Sequence, residues 1–343
     1  MTMKTLDIEE YLFRRHRDKL YLQSIQLDLT NVCNANCMFC LQGSHTCSDN
    51  ELTFDEICKI LKDARELHAF NVGFDGGEAF ARSDFHKILK YASDLGYSIS
   101  IATNGQLLSE DDILLIKNCS VSKVSVSFHS IDKKTYNQLF GVKGNEYEIA
   151  LKNIERLLHY GVRTGIAITI TRLNLDDLLS TIEYFRHMGI SVHDIGLNHL
   201  IAGKKDINNL CISREQKIDL ARQLYNLGID TCIRGHYLCK AGRTALSVSY
   251  NGMVYACPLL QTPAGNIRKN TLKEIWEESE YFKMLRSLTP SHFPKCEGCE
   301  AKYECQMCLR NNIVYNDNIF LPFEDTCAYM KARKELKDGK NNG

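Results

Sequence analysis

Between residues 22 and 215 the chain alternates six times between a short β-rich run and a longer helical pattern. Strands are expected over 22–29, 70–74, 98–102, 123–128, 163–170 and 192–196. Helices follow by apolar spacing over 54–67, 84–95, 110–117, 133–139, 146–160 and 176–188. Thr53 with Glu56, Ser109 with Asp112 and Ser213 with Gln216 read as capping boxes, and Gly96, Gly161, Gly189 and Gly228 as helix stops. Strand-helix units in series imply parallel strands joined by right-handed crossovers. Six units are too few for a closed eight-stranded barrel, so an α/β fold built on an open, partial (β/α)6 barrel is expected. Ligands of such sheets sit at the C-terminal strand ends. The segments starting at Cys33, Asp75, Thr103 and Phe128 all fall on that rim.

The pattern changes after Gly228. Residues 246–256 read as a hairpin turning at Asn251-Gly252, and Thr271 with Glu274 starts a helix expected over 272–285. Past Pro290 periodicity fades and cysteines accumulate, so metal ligation would have to supply much of the folding energy. The expected division is an N-terminal extension (1–21), the barrel (22–228), a cysteine-rich domain (229–330) and a polar tail (331–343).

The chain has 15 cysteines, and eleven of them fall in three groups. Cys33, Cys37 and Cys40 share one tight loop; Cys232, Cys239 and Cys257 form a looser group; Cys296, Cys299, Cys305, Cys308 and Cys327 crowd the last quarter. Cys47, Cys58, Cys119 and Cys211 are left over and read as small hydrophobes. No transmembrane run or signal-peptide core is visible, which points to the cytoplasm and to metal loading rather than disulfides. The formal net charge of +0 gives no bulk attraction to nucleic acid or an acidic membrane. Three cysteines in one loop can hold three irons of a [4Fe–4S] cube and leave the fourth open to a ligand.

Several motifs in this order resemble the radical S-adenosylmethionine (SAM) superfamily. They are the spacing of Cys33, Cys37 and Cys40 with Phe39 before the last, Gly76-Gly77-Glu78 after the second strand, Thr103-Asn104-Gly105 after the third, and Ser127 at the end of the fourth. The last 110 residues resemble its SPASM extension. Cys239, Gly252 and Cys257 fit its opening pattern, Cys296, Cys299, Cys305 and Cys308 its centre, and Cys327 its close. The resemblance implies a TIM-like partial barrel, SAM as cofactor, and three [4Fe–4S] clusters, one binding SAM and two auxiliary. By analogy Cys239, Cys257 and Cys308 hold one auxiliary cluster and Cys296, Cys299, Cys305 and Cys327 the other. Cys232 is the candidate fourth ligand of the first, a buried core cysteine being the competing reading. The gap between Cys305 and Cys308 is two residues where three is usual.

In the family, SAM chelates the open iron and is cleaved to methionine and a 5′-deoxyadenosyl radical, which takes a hydrogen atom from the substrate. The resemblance implies that the Gly76 and Gly77 carbonyls and Glu78 accept from the methionine ammonium. Phe39 packs near adenine, and Asn104 and Ser127 meet the carboxylate or ribose. Related peptide-modifying enzymes often carry Arg-Gly where this chain has Phe140-Gly141, which removes a positive partner. The implied substrate is a ribosomal precursor peptide, with oxidative crosslinking (thioether or C–C) first. Epimerisation, protein side-chain oxidation, modification of a haem-pathway or other cofactor precursor, and a non-catalytic iron–sulfur scaffold are the alternatives. Implied partners are a separate leader-binding protein and a flavodoxin or ferredoxin-type electron donor. Asp194, assigned to the last barrel strand, is the candidate for proton transfer, with His193, His199 and Asp75 behind it.

Overall fold

A computed structural model describes residues 19–40, 46, 50–200, 207–229, 239–302, 305 and 307–341. In chain order β1 (Ser24–Asp28), β2 (Asn71–Asp75), β3 (Ser98–Thr103), β4 (Lys123–Ser127), β5 (Thr164–Ile170) and β6 (Ile195–His199) are parallel neighbours. Helices α1 (Phe54–Glu66), α2 (Phe85–Asp94), α3 (Glu110–Asn118), α4 (Lys133–Phe140), α5 (Glu146–His159) and α6 (Leu178–His187) lie between them in sequence. All three capping boxes form. The four stop glycines all take positive φ, as a left-handed helix end requires.

The strands alternate in burial. Ile25, Leu27, Val72, Phe74, Ile99 and Ile101 are at most 1% exposed and share one core with the helices. Each such side chain contributes on the order of 1.5–3 kcal/mol. The opposite face carries Gln26, Gly73, Ser100, Ser125, Ser127 and Ala167, small or polar and mostly half-buried. A parallel sheet packed on both faces would read as continuous apolar runs. This one packs helices on one side and leaves the other lined by small groups, as a ligand-holding hollow requires.

The sheet does not stop at six strands. β7 (Ala245–Val248) pairs parallel to β1, and β8 (Met253–Cys257) and β9 (Leu260–Asn266) extend it antiparallel, in the order β6-β5-β4-β3-β2-β1-β7-β8-β9. The expected hairpin is therefore an extension of the barrel sheet. β9 escapes sequence reading because it contains Pro263 and Gly265, which suit an irregular edge strand with bulges.

Three further expectations are corrected. The helix expected over 272–285 is two, α8 (Leu272–Glu278) and α9 (Glu280–Ser287), broken where Ser279 is extended. The break lets Trp276 and Phe282, both fully buried, pack 5.6 Å apart. After α10 (Pro294–Glu297) and α11 (Leu309–Asn316), helix α12 (Glu324–Asn341) runs through most of the expected polar tail. It is pinned to α7 (Arg214–Asn226) by Arg214 and Lys217 on Asp325. No helix among the described residues is long and apolar enough to cross a membrane.

The third correction concerns Asp194. β6 begins at Ile195, three residues later than expected, so Asp194 closes a 3-10 turn before the strand. Its carboxylate meets Arg163 (2.9 Å) and Lys123 (3.0 Å), which stand at the starts of β5 and β4. Burial pushes its pKa up, but the bonds from Arg163 and Lys123 prevail and hold it below the ordinary value. Asp194 thus closes the N-terminal mouth of the barrel, opposite the rim that carries the cysteine loop. Asp194→Asn is expected to cost roughly 1.5–3 kcal/mol near neutral pH. Because the folded pKa is depressed, the loss should shrink as pH falls through the folded value. Urea melts of the two proteins across pH check this; iron content and SAM binding should not change.

Candidate active site

The loop bearing Cys33, Cys37 and Cys40 leaves β1 and is clamped on several sides. From β2, the Gly77 and Glu78 N–H groups donate to the carbonyls of Thr30 (2.7 Å) and Val32 (2.8 Å), continuing the β1–β2 ladder past its strands. Both glycines are required by this approach. A Cβ on Gly77 would lie 2.1 Å from the Val32 carbonyl oxygen, and Gly76, at φ +129°, would place one 2.7 Å from that of Thr30. From α4, the Phe140 and Leu139 carbonyls accept from Asn36 (2.9 Å) and Met38 (3.0 Å). Gly141 follows at φ +64° because a side chain there would meet the Asn36 carbonyl. From the end of β3, Gln106 accepts from Asn34 (2.7 Å), and Asn104 donates to Asn34 (2.8 Å) and to the Cys33 sulfur (3.8 Å).

Glu78 is 1% exposed and stitches two strand ends together. Its carboxylate accepts from Phe80 N, Thr103 Oγ1 (2.8 Å) and Asn104 N (2.7 Å). Burial raises its pKa to about 7 against these bonds. Asp75, bonded to Gln26 and to Gly76 N, is raised to about 6, again by burial. Burial also raises the Cys33 thiol, with Glu78 and Cys40 adding to it. Asn104 is committed at both ends, since its amide oxygen accepts from Gln106 N. Two expected contacts are left open. Ser127, at the end of β4, has no side-chain hydrogen bond among the described residues, and the Gly76 and Gly77 carbonyls accept none there.

His129, two residues past β4, is 4% exposed and accepts the Thr169 N–H at Nδ1 (3.1 Å), which puts its proton on Nε2. Burial lowers its pKa to about 3, so the ring is neutral. It stacks on Phe140 (4.7 Å) and meets Phe39 edge-on (5.0 Å). Phe140 and His129 thus form an aromatic wall that backs Phe39. Sequence reasoning missed this wall, and also Asn34 and Gln106; the asparagines inside the cysteine loop were the available signal.

The later cysteines sort spatially. Cys257 is pushed up to about 11, first by burial and then by the Cys239 and Cys308 thiols. Cys327 is raised by burial and then by Cys296 and Cys299. Cys305 is half-buried against the core. Cys232 and Cys47 lie outside the described residues; Cys119 is buried, and Cys58 and Cys211 are half-buried. All described cysteines are free thiols, and among the described residues no three His, Cys, Asp or Glu side chains converge on a single-ion site. A four-iron cube holds its ligands further apart than one ion does. Free, half-buried thiols grouped in this way, with open glycine carbonyls beside the first group, fit [4Fe–4S] clusters and SAM.

Comparison with known proteins agrees. The radical SAM superfamily model matches residues 27–185, and the SPASM iron-sulfur cluster-binding domain matches 239–300. An AdoMet-dependent heme synthase of Methanosarcina barkeri is 28% identical, covering 90% of this chain and 97% of that protein. The mycofactocin maturase MftC of Mycolicibacterium smegmatis is 26% identical over 79% of this chain and 76% of its own length. Streptococcus suis SuiB bound to S-adenosylmethionine superposes with a TM-score of 0.71 at 16% identity, covering 95% of this chain and 84% of that one.

Substituting Ala for Gly77 should displace Val32 and the loop that follows. The expected result is loss of about four irons, one cube, from reconstituted protein, with the remaining iron and its EPR signal retained. Iron and sulfide assays beside EPR of the two proteins check this.

Proposed function

Because the chain belongs to the radical SAM superfamily and carries a SPASM domain, we propose that it is a radical oxidoreductase that modifies a ribosomally synthesised precursor peptide, forming a thioether or C–C crosslink. In this reading Cys33, Cys37 and Cys40 hold the SAM-binding cluster. Cys239, Cys257 and Cys308, with Cys232, hold one auxiliary cluster, and Cys296, Cys299, Cys305 and Cys327 the other. When bound and reduced, the SAM cluster and SAM supply a 5′-deoxyadenosyl radical able to take one hydrogen atom from the substrate. The residues of this chain orient. The Gly76 and Gly77 carbonyls offer acceptors to an ammonium, Ser127 offers a hydroxyl, and Phe39, backed by His129, offers a flat apolar face.

The observation that carries the oxidative reading is the spatial sorting of the later cysteines into two further groups. A crosslink that removes two hydrogens gives one hydrogen atom to the radical. It then releases one proton and one electron, and an auxiliary cluster is a suitable acceptor for that electron. The likeness in fold to SuiB, solved also with its precursor peptide SuiA, supports a peptide substrate. In this reading the protein works in the cytoplasm with a flavodoxin or ferredoxin-type donor and a separate leader-binding protein.

A second reading, radical modification of a haem-pathway or other cofactor precursor, is favoured by the near full-length similarity to heme synthases. Anaerobic reconstitution with reductant and SAM separates them. Formation of 5′-deoxyadenosine with a neighbouring small peptide losing the mass of two hydrogens is the expected result. Consumption of an iron porphyrin, with the peptide unchanged in mass and stereochemistry, would establish the second reading instead.

A further inference from the structure

Arg268, in the turn after β9, spends all five of its N–H donors on one short stretch of the barrel. Its Nε donates to Glu56 Oε1 (2.6 Å) and one Nη to Glu56 Oε2 (3.1 Å) and the Glu51 carbonyl (3.1 Å). The other Nη donates to the Asn50 carbonyl (3.1 Å) and side chain (3.3 Å). Glu56 is at once the partner of Thr53 in the capping box of α1, so the guanidinium fixes the start of that helix. The same stretch is held from the hairpin a second time, by Leu52 N on the Tyr250 carbonyl (2.7 Å).

The held stretch reaches the cysteine loop through Glu51. Its Oε1 accepts from Thr30 Oγ1 (2.8 Å) and Asn31 N (2.9 Å), three and two residues before Cys33. Thr30 Oγ1 accepts in turn from Val32 N (3.0 Å), and the Thr30 carbonyl takes the Gly77 N–H. A chain of hydrogen bonds, joined through Glu51, thus runs from the turn after β9 to the loop that carries Cys33.

We propose that Arg268 is a positioning residue through which the cysteine-rich domain sets the geometry of the SAM-cluster loop, with Glu51 as the link. The inference rests on the reading that Cys33, Cys37 and Cys40 hold that cluster. Lysine cannot replace arginine here, because a point ammonium with three donors cannot meet carboxylate and carbonyls in one planar fork.

The test uses full-length reconstituted protein, wild type, Arg268→Lys, Glu51→Ala (which removes the Oε1 acceptor) and the double variant. The readouts are SAM affinity by calorimetry, the SAM-induced change in the EPR spectrum, iron content and melting temperature. Arg268→Lys is expected to weaken SAM binding roughly three- to ten-fold and to alter the SAM-induced EPR change, with auxiliary-cluster signals intact. The double variant should fall short of the product of the single effects, as members of one network do. A lower melting temperature with unchanged SAM affinity and EPR lineshape would overturn the proposal and leave Arg268 a stabilising contact only. Independent, multiplicative effects of the two substitutions would overturn the link through Glu51. Wild-type protein showing no SAM-sensitive cluster would overturn the underlying reading instead.

Discussion

The close approach of the Gly76-Gly77-Glu78 backbone to Thr30–Val32 is the contact on which the site depends. Where a parallel ladder would normally end, two more N–H groups continue it into the cysteine loop. Irregular backbone beside a hollow would otherwise leave polar groups without partners. Here the loop satisfies them with β2, with the last carbonyls of α4 and with the β3 end. A loop fastened in this way can present three thiols in a fixed arrangement before any metal arrives. The glycines serve this contact directly, and their carbonyls remain available on the other side.

Much of the barrel was legible because period and punctuation agree. Strands near 24–28, 71–75 and 98–103 alternate cleanly; between them α1 opens on a capping box and α2 closes on Gly96. Sequence reading failed where tertiary contact overrides local pattern. Val192 looks like a strand start, yet Ser191 accepts from His193 N and turns 192–194 into a 3-10 turn. That shift puts Asp194 before the strand, at the N-terminal mouth, instead of within it. Ser279 breaks a continuous amphipathic pattern because two large side chains need different angles of entry to the core. β7 beside β1 is a long-range pairing that no local signal encodes.

The site residues divide in the same manner. The cysteine spacing and the paired glycines were visible because their chemistry demands particular residue types. The roles of Asn104 and Glu78 were not, because both spend their polar atoms on protein. His129 was visible as a residue but not as a wall, since its neutral state comes from burial and its tautomer from the Thr169 N–H across the sheet.

The continuity of the sheet changes what the cysteine-rich segment is. Cys257 ends β8, two strands from β1, and β1 runs directly into the loop of Cys33. The Cys33 loop and Cys257 are therefore carried by one hydrogen-bonded sheet. Relative motion would have to break ladder bonds, so their spacing is set by the sheet itself. The buried thiols, with pKa values raised by burial and by one another, are poor thiolates without metal. Bound cations reverse that logic by taking the charge. A cluster bound there would stabilise the thiolate form that the protein alone disfavours.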